Sequence, residues 1–165
     1  MKKIIALLLC FTVIMSVCSC ADITDGETSE REKEEFSINI PDMFEDKTDG
    51  TGYAALYVYG DVYVWAIKDP FSGLDGSVNW DLDYYASTIH MVNEQNSPKP
   101  LYKENGLTLM EYTVFNESKN KTFTYLTSMY KGSDAFWMVQ FVCEDKDFEE
   151  YKPSFVEWAG SVKVK

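Results

Sequence analysis

Apolar and polar positions divide the chain into three stretches of different character. Residues 4–17 form one apolar run, and residues 21–35 (ADITDGETSEREKEE) are polar with Ile23 as their one branched aliphatic. From Phe36 onward, short runs rich in aromatic and β-branched residues alternate with turn signals. Residues 36–40 alternate and stop at Pro41, which predicts a strand. Residues 53–59 and 62–68 read as two strands joined by Gly60-Asp61, a two-residue hairpin turn with glycine first. Residues 101–104 and 107–115 are joined by Asn105-Gly106, a strong hairpin signal. Residues 122–131 and 135–144 follow, separated by Gly132-Ser133, so four consecutive strands with tight turns predict an antiparallel meander.

Two stretches change period. Asp81 is placed to cap a helix over residues 82–93, where Leu82, Tyr85, Ala86, Ile89 and Val92 share one face. Residues 147–160 carry Phe148, Tyr151, Phe155, Trp158 and Ala159 on one face, with Pro153 expected to open a new helical segment. Residues 161–164 predict a short closing strand. In the run 135–144, Trp137, Val139, Phe141 and Cys143 point one way and Phe136, Met138 and Val142 the other. A strand apolar on both faces belongs to a sheet covered on both sides. The fold class is therefore α+β: an antiparallel sheet with helices on both faces, as a single domain over residues 36–165.

The apolar run at the N-terminus is too short to span a membrane, which takes roughly 20 residues. With Lys2 and Lys3 before it, the run reads as a signal peptide over residues 1–19. Val17-Cys18-Ser19-Cys20 resembles the bacterial lipobox, which implies acylation of Cys20 and an extracytoplasmic protein anchored to the cell membrane by lipid. Ser19-Cys20-Ala21 also suits an ordinary signal peptidase cutting after Ala21, and an uncleaved leader is a third reading. Residues 20–35, with seven acids and two bases, read as a disordered tether, because too little apolar surface is available to offset chain ordering.

The order of elements resembles the PsbP-like α/β/α sandwich family. The stretches that carry the resemblance are residues 36–41, the Asn105-Gly106 hairpin, residues 136–143 and residues 151–164. It implies the sandwich fold. Members of that group serve unrelated binding and assembly roles, so it implies no particular activity.

Charge and chemistry narrow the rest. The whole chain carries a net charge of −12 and no basic patch, which argues against nucleic-acid binding. No P-loop, GxGxxG, GxSxG or HExxH sequence is present, and no catalytic residue, metal site or cofactor is expected. Cys143, inside an apolar strand, reads as a buried hydrophobe, and His90, the one histidine, as a residue at the edge of the core. Asp46, Asp49 and Asp75 lie in loops without the spacing of a calcium-binding loop. The aromatics carry the sharper signal. Tyr53, Tyr57 and Tyr59 fall on one face of their strand, Tyr63 and Trp65 on one face of the next, and Trp80 on a long loop expected beside them. They form a candidate platform for a glycan or an envelope protein. The expected function is a lipid-anchored, monomeric binding or assembly module; the alternative is a carboxylate-based hydrolase of an envelope polymer.

Overall fold

The tight turns set the register of the sheet. The computed structural model describes Ile23, residues 26–74 and residues 79–165. In the Asn105-Gly106 turn both residues take positive φ, 51° and 81°, the backbone that favours this dipeptide. It joins β6 (Tyr102–Glu104) to β7 (Leu107–Asn116), and β8 (Lys121–Lys131) and β9 (Ala135–Glu144) complete the expected meander. The Gly60-Asp61 turn joins β4 (Ala55–Tyr59) to β5 (Val62–Pro70), and β5 pairs antiparallel with β9. With β3 (Glu45–Asp46) at the edge, the main sheet has seven strands in the order β3-β4-β5-β9-β8-β7-β6. A second sheet has the order β1-β2-β10, formed by Thr28–Glu32, Phe36–Pro41 and Lys163–Val164.

Helices lie on both faces of the main sheet, as the apolar pattern of β9 requires. Helix α1 (Leu82–Val92) starts where the Asp81 carboxylate accepts the Tyr84 N–H at 2.7 Å, a cap worth about 1 kcal/mol. Its buried residues, Tyr85 and Ala86, pack on Met110, Met129 and Phe136. Ile89 still packs against this cluster, but Val92 is 63% exposed, so the apolar stripe of α1 leaves the sheet at its last residue. Helix α2 (Phe148–Ser161) and the small sheet cover the other face. Phe155, Trp158 and Ala159 meet Phe36, Ile38, Trp137 and Phe141 there, with Phe36 stacked on Trp137 at 5.8 Å. Pro153 lies inside a continuous α2 and does not open a new segment. It sits early enough that the acceptor it leaves unfilled is the Glu149 carbonyl, in the first turn.

The expected disordered tether is corrected over part of its length. Residues 28–32 form β1, paired antiparallel with β2 from Thr28 opposite Pro41 to Glu32 opposite Ser37. Apolar burial does not order this strand. It satisfies the backbone edge of the buried β2, and two of its charges are engaged: Glu30 pairs with Lys163 at 2.8 Å and Arg31 donates to the Asp42 carbonyl at 2.9 Å. Ile23 is itself buried in the main core. The folded body therefore begins upstream of Phe36. Cys20 and the leader lie outside the described residues. Among the described residues, no helix is long and apolar enough to cross a membrane.

Candidate binding surface

Strand alternation and one short helix leave part of the main sheet open. Along β5, Val62, Val64 and Ala66 enter the core under α2, while Tyr63, Trp65 and Ile67 stay half-buried on the opposite face. Helix α1 occupies that opposite face over β7 and β8. Toward β5 and β4 the face is aromatic. Tyr53 stacks on Trp65 at 5.7 Å, Tyr63 lies 6.4 Å from Trp65, and Phe123 meets Tyr63 edge-on at 6.3 Å. Tyr125 meets Trp65 edge-on at 5.9 Å and stacks on Tyr112 at 4.7 Å. Each such pair contributes roughly 0.5–1.5 kcal/mol beyond its buried area, so the rings hold one another in place.

Trp65 is also held by a hydrogen bond from below. Its Nε1 donates to Oε1 of Gln140 at 2.7 Å, and Nε2 of Gln140 donates to the Tyr112 hydroxyl at 2.7 Å and to Oγ1 of Thr127 at 3.1 Å. Gln140 is buried, so this amide is satisfied by side chains that also fix the plane of the indole. Burial pushes the Tyr112 hydroxyl up to about 12, leaving it neutral as the acceptor.

One end of the aromatic face is a cleft of about 250 Å³ whose lining includes Tyr63, Trp65, Phe123, Tyr125, Asn116 and Lys119. The Lys119 ammonium lies 5.0 Å from the Tyr63 ring centre and 5.5 Å from that of Phe123, within cation–π range. It also donates to the Tyr63 hydroxyl and to Asp61 at 2.7 Å. Burial pushes the Asp61 carboxyl up, but the hydrogen bonds from Lys119 and Lys121 outweigh it and hold the group down to about 2. Lys121 bridges Asp61, at 2.5 Å, to Glu144. The result is an apolar floor with a charged and hydrogen-bonding rim, the composition of a site for a ligand with both apolar and polar edges.

No protein-family model matches the chain, and no curated protein matches its sequence. Solved structures do match in three dimensions. Cyanobacterial PsbP (CyanoP) from Synechocystis gives a TM-score of 0.50 at 11% identity, over 90% of this chain and 99% of that one. A protein from Bacteroides thetaiotaomicron gives 0.51 at 15% identity, over 85% of this chain and 48% of that one. The fold is PsbP-like. LpqN of Mycobacterium tuberculosis, which is involved in cell envelope biogenesis, gives 0.49 at 11% identity, over 90% of this chain and 98% of that one. At such identities the first two likenesses carry the architecture alone.

Within this PsbP-like frame the six aromatics expected to form the platform fall in three places. Tyr53, Tyr63 and Trp65 come together on the open face. Tyr57 is fully buried and Tyr59 packs against the main core, both on the opposite side of the sheet. The expectation that Tyr53 shares their face is corrected: residues 51–54 are bent rather than extended, so the alternation of β4 does not reach Tyr53. Trp80 is corrected as well. It stands at the start of α1, edge-on to Tyr84 at 4.8 Å, with its carbonyl accepting from Lys131 at 2.6 Å. Tyr125, Phe123, Tyr112, Gln140 and Lys119 were not picked from sequence. Gln140 did leave a signal, as the one polar residue in the apolar stretch FWMVQFV.

The other chemistry-bearing side chains serve the fold. Cys143 is buried, and burial followed by repulsion from Asp147, Asp145 and Glu144 pushes its thiol up to about 12. His90 places Nε2 3.2 Å from the Lys99 carbonyl. Asp46 is engaged by Lys33 at 2.6 Å and by the Thr48 N–H at 2.9 Å, and Asp75 lies outside the described residues. Among the described residues, no three His, Cys, Asp or Glu side chains come together as metal ligands. Glu111, buried in the middle of β7, accepts from Lys99 at 2.6 Å, Lys152 at 2.7 Å and the Tyr102 hydroxyl at 2.5 Å. Burial alone would push its carboxyl up, and these three donors reverse that and hold it down to about 2.

Proposed function

We propose that the protein is a lipid-anchored extracytoplasmic binding module that holds an envelope glycan on the open aromatic face of its main sheet. The observation that carries this reading is the Tyr53–Trp65–Tyr63 cluster with its indole fixed by the buried Gln140. Rings already locked in place take up the apolar face of a sugar at little entropic cost. Lys119, Asn116 and Asp61 at the rim supply partners for its hydroxyl groups. Acylation at Cys20 would keep this face close to the membrane, with several acyl chains giving firm attachment where one alone is marginal.

The hydrolase reading is supported less well. A general acid needs a raised pKa. The described carboxylates with perturbed acidity (Glu30, Glu45, Asp46, Asp61 and Glu111) are all shifted down.

Titration calorimetry and glycan arrays with purified cell-wall and capsular polysaccharides test the proposal. Trp65→Ala is expected to weaken binding at least about tenfold, the effect of losing a central aromatic anchor, with an unchanged far-UV spectrum. Absence of glycan binding, or equal binding by the variant, overturns it; capture of an envelope protein through Trp65 favours a protein partner instead. Cys20→Ala is expected to move the protein from the membrane fraction to the medium, read by fractionation and immunoblot.

A further inference from the structure

The geometry points to the free edge of β7 as a strand-addition site for an extended peptide segment with basic residues at alternate positions. β6 pairs with β7 only from Leu107 to Leu109. One more backbone bond, from the Lys99 N–H to the Glu111 carbonyl at 2.8 Å, closes the pairing on that side. Leu107, Leu109 and Glu111 turn their backbone groups toward this edge, so the antiparallel alternation turns those of Thr113 and Phe115 the same way. Among the described residues neither finds a backbone partner there.

Natural sheets blunt such edges with Lys, Pro, a bulge or a covering segment. The edge residues Thr113, Val114, Phe115 and Asn116 include no Lys or Pro, and the register with β8 runs unbroken from Thr108 to Asn116. Instead the edge borders a cleft of about 790 Å³. Asn96 and Ser97 line it on one side and Asp145 and Glu149 on the other, and Phe115 is 56% exposed. Those dimensions suit one added strand, which lies about 4.8 Å from its neighbour.

Charge selects the occupant. Glu111 is already matched by Lys99 and Lys152. Asp145 accepts from Oγ1 of Thr124; Lys99, which also lines the cleft, acts on Asp145 and Glu149 through space, but among the described residues neither carboxylate meets a cation within ion-pair distance. Because side chains alternate along an added strand, every second residue faces these two carboxylates, and basic residues fit there. A second copy of this chain fits poorly, since edge-to-edge pairing would bring together two acidic clefts on molecules of net charge −12. This surface adjoins the aromatic face through Tyr112 and Asn116 but does not depend on glycan binding there.

The test measures hydrogen exchange of residues 110–117 in the full-length protein in nonionic detergent. Three blocked peptides serve as probes: (Lys-Val)3, (Glu-Val)3, and (Lys-Val)3 methylated on alternate backbone nitrogens. The first is expected to slow exchange at Thr113 and Phe115 about tenfold at millimolar concentration, and the other two to leave it unchanged. In D145K/E149K the preference is expected to pass to (Glu-Val)3, while W65A keeps the original pattern. Equal protection by the methylated peptide, which has the same charge but cannot pair, overturns the proposal. So does absence of protection, or protection that grows with protein concentration alone.

Discussion

Replacing Glu111 by glutamine tests how β7 is tied to α2. Burial works against ionisation of this carboxyl, yet hydrogen bonds from Lys152, Lys99 and Tyr102 hold it at about 2 against its ordinary 4.5. At about 1.4 kcal/mol per pH unit, ionised Glu111 stabilises the folded protein by about 3 kcal/mol at neutral pH. The sign follows from the direction of the shift. A depressed carboxyl contributes fully above its unfolded value and loses that contribution as pH falls toward its folded value. About 3 kcal/mol at pH 7 therefore becomes about 1 kcal/mol near pH 3 and almost nothing at pH 2. The amide of E111Q cannot titrate, so the gap between wild type and variant closes over the same window. Asp46 and Asp61 also titrate there, but in both proteins, and cancel in the difference. Urea unfolding followed by tryptophan fluorescence from pH 7 to pH 3 measures the gap directly. A gap that stays constant across that range would refute the charge-based account and leave shape as the explanation.

Gln140→Leu removes the acceptor of the Trp65 N–H and the donor to Tyr112; it is expected to cost about 1–3 kcal/mol and to broaden tryptophan emission as the indole loses its fixed plane. Phe155→Ala empties the contact between α2 and the main sheet, where Phe155 meets Phe141 at 5.6 Å and Trp158 at 5.6 Å. A loss of about 3–5 kcal/mol is expected in chemical denaturation, and a loss below about 1 kcal/mol would show that the site collapses freely. Cys143, with its thiol near 12 through burial, is expected to resist alkylation at pH 8 until the protein unfolds, read by mass spectrometry of the peptide that contains it.

Elements bounded by strong local signals were legible in sequence. The Asn105-Gly106 and Gly60-Asp61 turns fix the hairpins, and the Asp81 carboxylate starts α1 where the periodicity changes. β1 was not legible, because backbone pairing and ion pairs hold it, and neither leaves an apolar alternation. The face of Tyr53 was misread because parity holds only while the chain stays extended, and the bend at residues 51–54 ends it. Tyr63 and Trp65 were legible as a pair, but their supports were not. Trp65 and Gln140 are 75 residues apart, and only the pairing of β5 with β9 brings them face to face. Gln140, the one polar residue in FWMVQFV, and Glu111, the one charged residue of β7, were nonetheless visible in the sequence. Each has a full set of partners: the amide orients an indole, and the carboxylate joins β7 to α2.

Both candidate surfaces arise where two layers of the sandwich differ in size. Seven strands at about 4.8 Å spacing make a sheet roughly 29 Å wide. Helix α1, with 11 residues, is about 16 Å long and about 10 Å across. It cannot cover the whole face, and the strand it leaves bare is β5, which bears Tyr63 and Trp65. The same mismatch operates within the sheet, since β6 has three residues and β7 has ten. Lys99 extends the pairing to Glu111, and among the described residues no backbone group pairs with this edge from Thr113 onward. On the opposite face α2 and the three-stranded sheet together are wide enough, and the core there is closed. Exposed aromatic area and unpaired backbone thus share one cause in the lengths of α1 and β6. Lengthening either element by design would close one surface and leave the other unchanged.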